Sequence, residues 1–200
     1  MFDSQVRRLK DKLYYPLAKR LSKAPPLSIT ILALITGLIS AYLAAIGSVI
    51  LSLILWLLSR MLDGFDGLVA RLHGKQSDFG GYIDIVLDFV IYAAVPIGLV
   101  LSQPTTQNYL ALAIMLSSFY VNTASWMYLA AILEKRALRE ENLQTTITVP
   151  SGIIGGTETI IIYCVFLLFP NWIFILFNIF SALVFITVLQ RLIWAHKHIR

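Results

Sequence analysis

Cysteine is nearly absent from this chain, and its single copy, Cys164, excludes an internal disulfide. In an apolar run, that residue reads as a small packing side chain. Charge is scarce too, at 14% of 200 residues, where soluble domains carry about 25%. Histidine occurs three times. His73, His196 and His198 all fall at the edges of apolar segments, where they read as headgroup or solvent contacts and not as metal ligands. No internal repeat and no low-complexity tract breaks the chain, so 1–200 reads as one domain. What is abundant is apolar surface: 58% hydrophobic residues and a mean hydropathy of +0.78. That composition describes an all-α polytopic membrane protein and excludes an ordinary soluble domain.

Six apolar segments can be marked, at approximately 27–48, 49–72, 80–102, 107–133, 153–169 and 172–195. Each is near the ~20 residues that a helix needs to cross a bilayer. The expected architecture is therefore a six-helix transmembrane bundle over 27–195. Ala44-Ala45-Ile46-Gly47-Ser48 imitates a signal cleavage site, but the run before it is too long for a signal peptide and reads as a retained span. The short loops 46–49, 103–108 and 170–171 contain no Lys or Arg, and all 16 basic residues fall toward the other side. By the positive-inside rule both termini are expected in the cytoplasm.

Residues 4–23 set Val6, Leu9, Leu13, Leu17 and Leu21 against Arg7, Arg8, Lys10, Lys12, Lys19 and Arg20 at helical spacing. This is expected to be an amphipathic interfacial helix lying on anionic lipid. Pro25 and Pro26 then separate it from the first span. A pI near 9.4 also raises nucleic acid as a partner. The charge lies beside a span, however, and no aromatic–basic stacking pattern accompanies it, so nucleic acid is set aside.

One stretch departs from the apolar pattern. It reads Asp63-Gly64-Phe65-Asp66-Gly67-Leu68-Val69-Ala70-Arg71 and, after eight more residues, Gly80-Gly81-Tyr82-Ile83-Asp84-Ile85-Val86-Leu87-Asp88. An intramembrane acid is costly, and four close together repel unless something positive sits between them. At about 100° per residue, Asp63, Asp66, Gly67, Ala70 and Arg71 share an arc of roughly 140°. Asp84 and Asp88 stack one turn apart on the next helix. Two antiparallel helices facing each other would gather the four carboxylates into one small volume. Hard oxygen donors favour Mg²⁺ or Mn²⁺. Gly67 and Ala70 leave room for a ligand against the backbone, and Arg71 adds a fork suited to phosphate. Two divalent ions roughly 3.5–4 Å apart could clamp a pyrophosphate, with a nearby carboxylate accepting a hydroxyl proton.

The pattern D-x2-D-G-x2-A-R-x8-G-x3-D-x3-D, running from Asp63 to Asp88, resembles the signature of the CDP-alcohol phosphotransferases at every fixed position. The wording Gly80-Gly81-Tyr82-Ile83-Asp84-Ile85, with Gly156-Thr157-Glu158-Thr159-Ile160 later, is most similar to a bacterial inner-membrane branch of that family. The resemblance implies a CDP-linked donor, usually CDP-diacylglycerol, a small polar alcohol as acceptor, CMP as leaving group and two Mg²⁺ or Mn²⁺ ions. It implies that Asp63 and Asp84 contact both metals, that Asp66 binds the first, and that Asp88 binds the second and is the general base. Gly67, Arg71 and Ser77 would contact the nucleotide and its phosphates, with Ala70 and Gly80 beside them. The start of the first span, Ser28 and Thr30, would complete the donor site, although Leu27 stands where the family often has Asn or Asp. A homodimer in the inner membrane, active site toward the cytoplasm, is also implied.

Two further charges lie within the apolar runs. Arg60, one turn before Asp63 on the same face, either binds an anionic acceptor or neutralises the carboxylates. Glu158, the acid of the last two segments, is either a structural partner of Arg60 or Arg191 or a ligand of the acceptor hydroxyl. The acceptor itself stays open. Glycerol phosphate or inositol phosphate would call for several cations, which Arg60, Arg71, Lys135 or Arg139 could supply. A CDP-amino-alcohol donor meeting a diacylglycerol acceptor is the alternative chemistry. A non-catalytic scaffold or an ion-conducting subunit is the alternative outside catalysis, and a conduction path would spread its acids through the bilayer depth instead of clustering them.

Overall fold

Pro26 opens the first helix at a position where its missing N–H costs nothing and its fixed φ already suits the helix. The computed structural model of the protein describes residues 14–16, 18–19, 25–139 and 152–199. It consists of α1 (Pro26–Ala45), α2 (Val49–Leu72), α3 (Asp78–Ser102), α4 (Thr106–Arg139), α5 (Gly156–Leu168), a short 3-10 turn (Pro170–Trp172) and α6 (Ile173–His198). No strand occurs among the described residues. Most of 4–23 lies outside them; Tyr14, Tyr15, Pro16, Ala18 and Lys19 are helical.

α1 packs on both α2 and α3, and α4 packs on α6. Small residues make the first contacts possible. Ala33, Gly37, Ser40, Ala41 and Ala44 line the buried face of α1, so backbones approach closely enough for interhelical hydrogen bonds. Ser40 Oγ donates to Ser52 O at 2.7 Å, Ser52 Oγ donates back to Ser40 O at 2.9 Å, and Ser59 Oγ donates to Ala33 O at 2.7 Å. Gly98 of α3 approaches α1 so closely that a Cβ there would stand 2.2 Å from Ala41 O. The two halves of the bundle meet through aromatic rings. Trp56 stacks on Tyr163 with centroids 4.9 Å apart, the Tyr163 hydroxyl donates to Tyr92 O at 2.6 Å, and Phe119 meets Phe180 at 5.5 Å. Outside, Ile31, Ile35, Leu38 and Tyr42 of α1 are exposed at a helical period, an apolar exterior suited to lipid.

Six helices are present among the described residues, but they are not six equal spans. Four are long and apolar enough to cross a membrane: Pro26–Ala45, Asp78–Ser102, Thr106–Arg136 and Pro170–His198. α2 has the length, 24 residues, but from its midpoint onward it carries Arg60, Asp63, Asp66 and Arg71. α5 has only 13 residues. At 1.5 Å per residue that is about 20 Å, short of the ~30 Å hydrocarbon core. The apolar run 153–169 reads as a full span, yet Gly155 is extended, at φ −112° and ψ −166°, and the helix begins only at Gly156. Among the described residues, length and composition thus mark four spans, with α5 a shorter apolar helix beside them.

The short links 46–48, 73–77 and 103–105 make successive helices antiparallel. The start of α1, the end of α2 and the start of α3 therefore come to one end of the bundle, and the acidic stretch with them.

Candidate active site

Ser77 fixes where α3 begins. Its Oγ accepts from Gly80 N at 3.0 Å, a side-chain N-cap that satisfies one orphan donor of the first turn. That start places Asp84 and Asp88 on the first half of α3, facing Asp63 and Asp66 on the second half of α2. The four form one electrostatic cluster with Arg60. Asp63 interacts with Asp88, Arg60 and Asp84, and Asp84 interacts with Asp66, Asp88 and Arg60.

Each acid has its own surroundings. Asp66 is 4% exposed and accepts a 2.5 Å hydrogen bond from Thr30 Oγ1, which ties the start of α1 to α2. Asp88 Oδ1 accepts from Arg60 Nη1 at 2.6 Å. Asp84 Oδ1 is buried and has no hydrogen-bond partner among the described residues. Arg60 itself is 2% exposed, with its guanidinium carbon 5.1 Å from the ring centroids of both Trp56 and Tyr92. Aromatic faces and one carboxylate hold it in place.

A cavity of about 280 Å³ opens at the same end of the bundle, between the start of α1, the end of α2 and the first turns of α3. Asp66 and Asp84 are in its wall, with Gly67, Ala70, Arg71 and Gly80. Asp63 and Asp88 stand one turn deeper along their helices. A Cβ added at Gly67 would meet only Arg71 Nη1, at 3.2 Å, so this glycine leaves the cavity open and is not a packing contact between helices.

Most residues expected at a donor site meet here. Thr30 and Ser77 also line the cavity, although each is engaged in a hydrogen bond that shapes the site. Ser28 does not; it is exposed, and its N–H donates to Pro25 O at 3.0 Å in the first turn of α1. Sequence reasoning passed over Lys75 and Gly81, which line the cavity too. Lys75 sits in the link that the spacing treats as filler, and Gly81 repeats Gly80, the only signal either offered.

Two expectations are corrected. Glu158 pairs with neither Arg60 nor Arg191: its Oε2 accepts from Gly155 N at 3.1 Å, an acid capping the start of α5. Arg191 instead donates to Asn122. His73 does not face headgroups or solvent alone, because its Nε2 lies 2.9 Å from Ala18 O.

Among the described residues no three acid or imidazole groups stand close enough to form a ready-made metal cage. The donor set nevertheless fits a divalent cation. It offers four carboxylates against the single charge of Arg60, all hard oxygen, and one of those oxygens is buried without a partner among the described residues. Such a site would close on an ion, with Arg60 as its internal counter-charge.

Acids that are buried or half-buried thus lie beside a cavity rimmed by Arg71 and Lys75 at one end of an apolar helical bundle. The family model for CDP-alcohol phosphatidyltransferase matches residues 24–189. The chain belongs to that family, and it is a phosphotransferase enzyme. It is 34% identical over 171 residues to Inner membrane protein YnjF of Escherichia coli K12, a match that covers 85% of this chain and 82% of that protein. It is 29% identical to Archaetidylinositol phosphate synthase of Pyrococcus horikoshii, over 48% of this chain and 54% of the relative. A Bifunctional IPC transferase and DIPP synthase of Thermococcus kodakarensis is 42% identical over 66 residues, 33% of this chain and 15% of that one.

Proposed function

We propose that this enzyme transfers a phosphatidyl group from a CDP-linked donor, CDP-diacylglycerol, to the hydroxyl of a small polar alcohol, releasing CMP. The observation that carries the reading is the composition of one cavity wall: Asp66 and Asp84 beside Arg71, with Gly67 and Ala70 leaving their face bare. Carboxylates and a cation at one wall suit a metal-bound diphosphate, and the bare face suits a flat base.

Asp63, Asp66, Asp84 and Asp88 would hold two divalent ions, Mg²⁺ or Mn²⁺. Bound there, the ions neutralise diphosphate charge and stabilise the leaving CMP. The chain's own residues do the rest. Arg71 holds phosphate oxygens, Gly67 admits the cytidine, and Thr30 fixes the Asp66 carboxylate. Asp88 takes the proton of the attacking hydroxyl as the new P–O bond forms and the P–O bond to CMP breaks. With Oδ1 engaged by Arg60, Oδ2 is the oxygen for that proton. The relatives named as synthases and transferases support a role in phospholipid biosynthesis. The positive-inside pattern supports a six-span arrangement with this end of the bundle toward the cytoplasm.

The direct test is purified protein with Mg²⁺, CDP-diacylglycerol and a mixture of small alcohols. CMP and a new phospholipid are expected; CMP absent with every alcohol would sink the reading.

Two variants test parts of it. Asp88→Asn should cut turnover by about a hundredfold or more while changing donor affinity far less, since proton acceptance matters only when the alcohol attacks. Parallel loss of donor affinity would make Asp88 chiefly a metal ligand. Gly67→Leu should raise the KM for the CDP donor by about tenfold or more with little change in Tm, because its side chain would fill open cavity. A melting loss with normal donor affinity in the folded fraction would take Gly67 out of the site.

A further inference from the structure

The four acids are not equivalent. Asp66 and Asp84 line the open cavity, and Asp66 is the charged group that Asp84 feels most. Asp63 and Asp88 lie deeper, and Asp88 is the charged group that Asp63 feels most. Arg60 belongs to this deeper pair. Its Nη1 donates to Asp88 Oδ1 at 2.6 Å, and Asp63 follows it by one turn on the same face of α2.

More than a carboxylate holds Arg60 there. Trp56 precedes it by one turn on α2, and Tyr92 follows Asp88 by one turn on α3. The guanidinium carbon lies 5.1 Å from both ring centroids, and Nη2 donates to Ser59 Oγ at 3.2 Å. Tyr163 of α5 braces the two rings. It stacks on Trp56 at 4.9 Å, and its hydroxyl donates to Tyr92 O at 2.6 Å. Trp56 and Tyr163 are fully buried. The cation therefore keeps its place in this aromatic box even when Asp88 turns to another partner.

Charge then decides how many divalent ions the acids can hold. Four carboxylates, the guanidinium and one divalent ion leave a single negative charge. A second ion would make that a single positive charge, beside a guanidinium that is 2% exposed and cannot be screened by water. Without the guanidinium, two ions would balance the four carboxylates. The second ion must also take Asp88 Oδ1 from Arg60. The first meets no such competitor, since Asp84 Oδ1 is buried without a hydrogen-bond partner among the described residues. A nucleoside diphosphate supplies the negative charge that a second ion needs.

We propose that Arg60 stands in for the second divalent ion until the donor binds: Asp66 and Asp84 hold one ion, and the second joins at Asp88 only together with the donor's diphosphate. This rests on the two-ion reading above and adds to it an order of filling, set by a residue outside the four acids. Asp88 Oδ1 then passes from Arg60 to the ion, and Oδ2 stays the oxygen for the proton. Until a donor is seated, Asp88 stays paired and the site stays short of its second ion.

Counting Mn²⁺ on the full chain in detergent tests this without turnover. Equilibrium dialysis gives the number bound, and spin–spin broadening of the Mn²⁺ EPR signal reports two ions about 4 Å apart. Wild type alone should bind one ion, with a second about tenfold weaker or more, and show no paired signal. CDP should bring in the second ion and the paired signal. Arg60→Gln should bind two ions without CDP. Arg60→Lys keeps the charge and should fill like wild type; this variant and wild type with and without CDP decide the matter if Arg60→Gln does not fold. Asp88→Asn should lose the paired signal in the presence of CDP.

A purely structural Arg60 would leave the ion count of Arg60→Gln unchanged. That result overturns the proposal, as does a wild type that binds two ions of like affinity without CDP, or a paired signal that survives Asp88→Asn. Each of these leaves the transfer reading standing. One-then-two filling as expected, with no CMP formed from CDP-diacylglycerol and any alcohol, counts against the transfer reading and leaves the role of Arg60 in place.

Discussion

Asp63→Asn and Asp84→Asn are each expected to lower CMP formation by about a thousandfold, the several kcal/mol that metal-assisted charge stabilisation contributes. Both substitutions keep the volume of the side chain and remove its charge. Asp84 is the sharper case, because its Oδ1 is buried and has no hydrogen-bond partner among the described residues. If the carboxylates served only the fold, taking one charge out of a repelling cluster would not cost activity. Their proposed task requires that charge. The melting temperature in EDTA should stay level or rise in both variants, since four acids around one arginine repel. Wild-type turnover should vanish in excess EDTA and return with Mg²⁺. Near-normal turnover in either variant, or turnover indifferent to EDTA, removes the metal site from the mechanism.

How far the sequence goes depends on the kind of signal. The helices were legible because apolar runs and proline and glycine punctuation are local properties. α1 starts at Pro26, as the Pro25-Pro26 pair implies. The grouping of the aspartates with Gly67, Ala70 and Arg71 follows from helical spacing on two neighbouring segments, and the geometry brings these residues to one end of the bundle. What the sequence could not show was pairing across distance. Arg60 meets Asp88, 28 positions on, and Arg191 meets Asn122, 69 positions away. The structural partner of Glu158 was missed for the opposite reason. Its partner is only three residues away, and an acid three residues after Gly155 is a local capping signal that the apolar run hid. Hydropathy also overstated α5, because it counts apolar residues and does not register the extended backbone at Gly155.

Arg60→Leu should produce the largest loss of stability, and the loss should depend on metal. The guanidinium is 2% exposed and bonded to Asp88 at 2.6 Å, so its removal leaves a cluster of acids with no internal counter-charge. Breaking such a buried pair costs about 3–5 kcal/mol, and the lost contact with the Trp56 and Tyr92 rings adds to it. In a chain of this size that is on the order of 10 °C in Tm. Arg60→Lys, which keeps the charge but loses the planar fork, should lose about half as much. The loss is expected in EDTA. In saturating Mg²⁺ most of it should return, because a divalent ion among the carboxylates takes over the neutralising role of the guanidinium. If Arg60 served chiefly to bind an anionic acceptor, the Tm deficit would be the same with and without metal, and the change would lie in the acceptor KM. Melting curves of both variants in EDTA and in Mg²⁺ separate the two roles, and a metal-independent deficit would return Arg60 to the acceptor site.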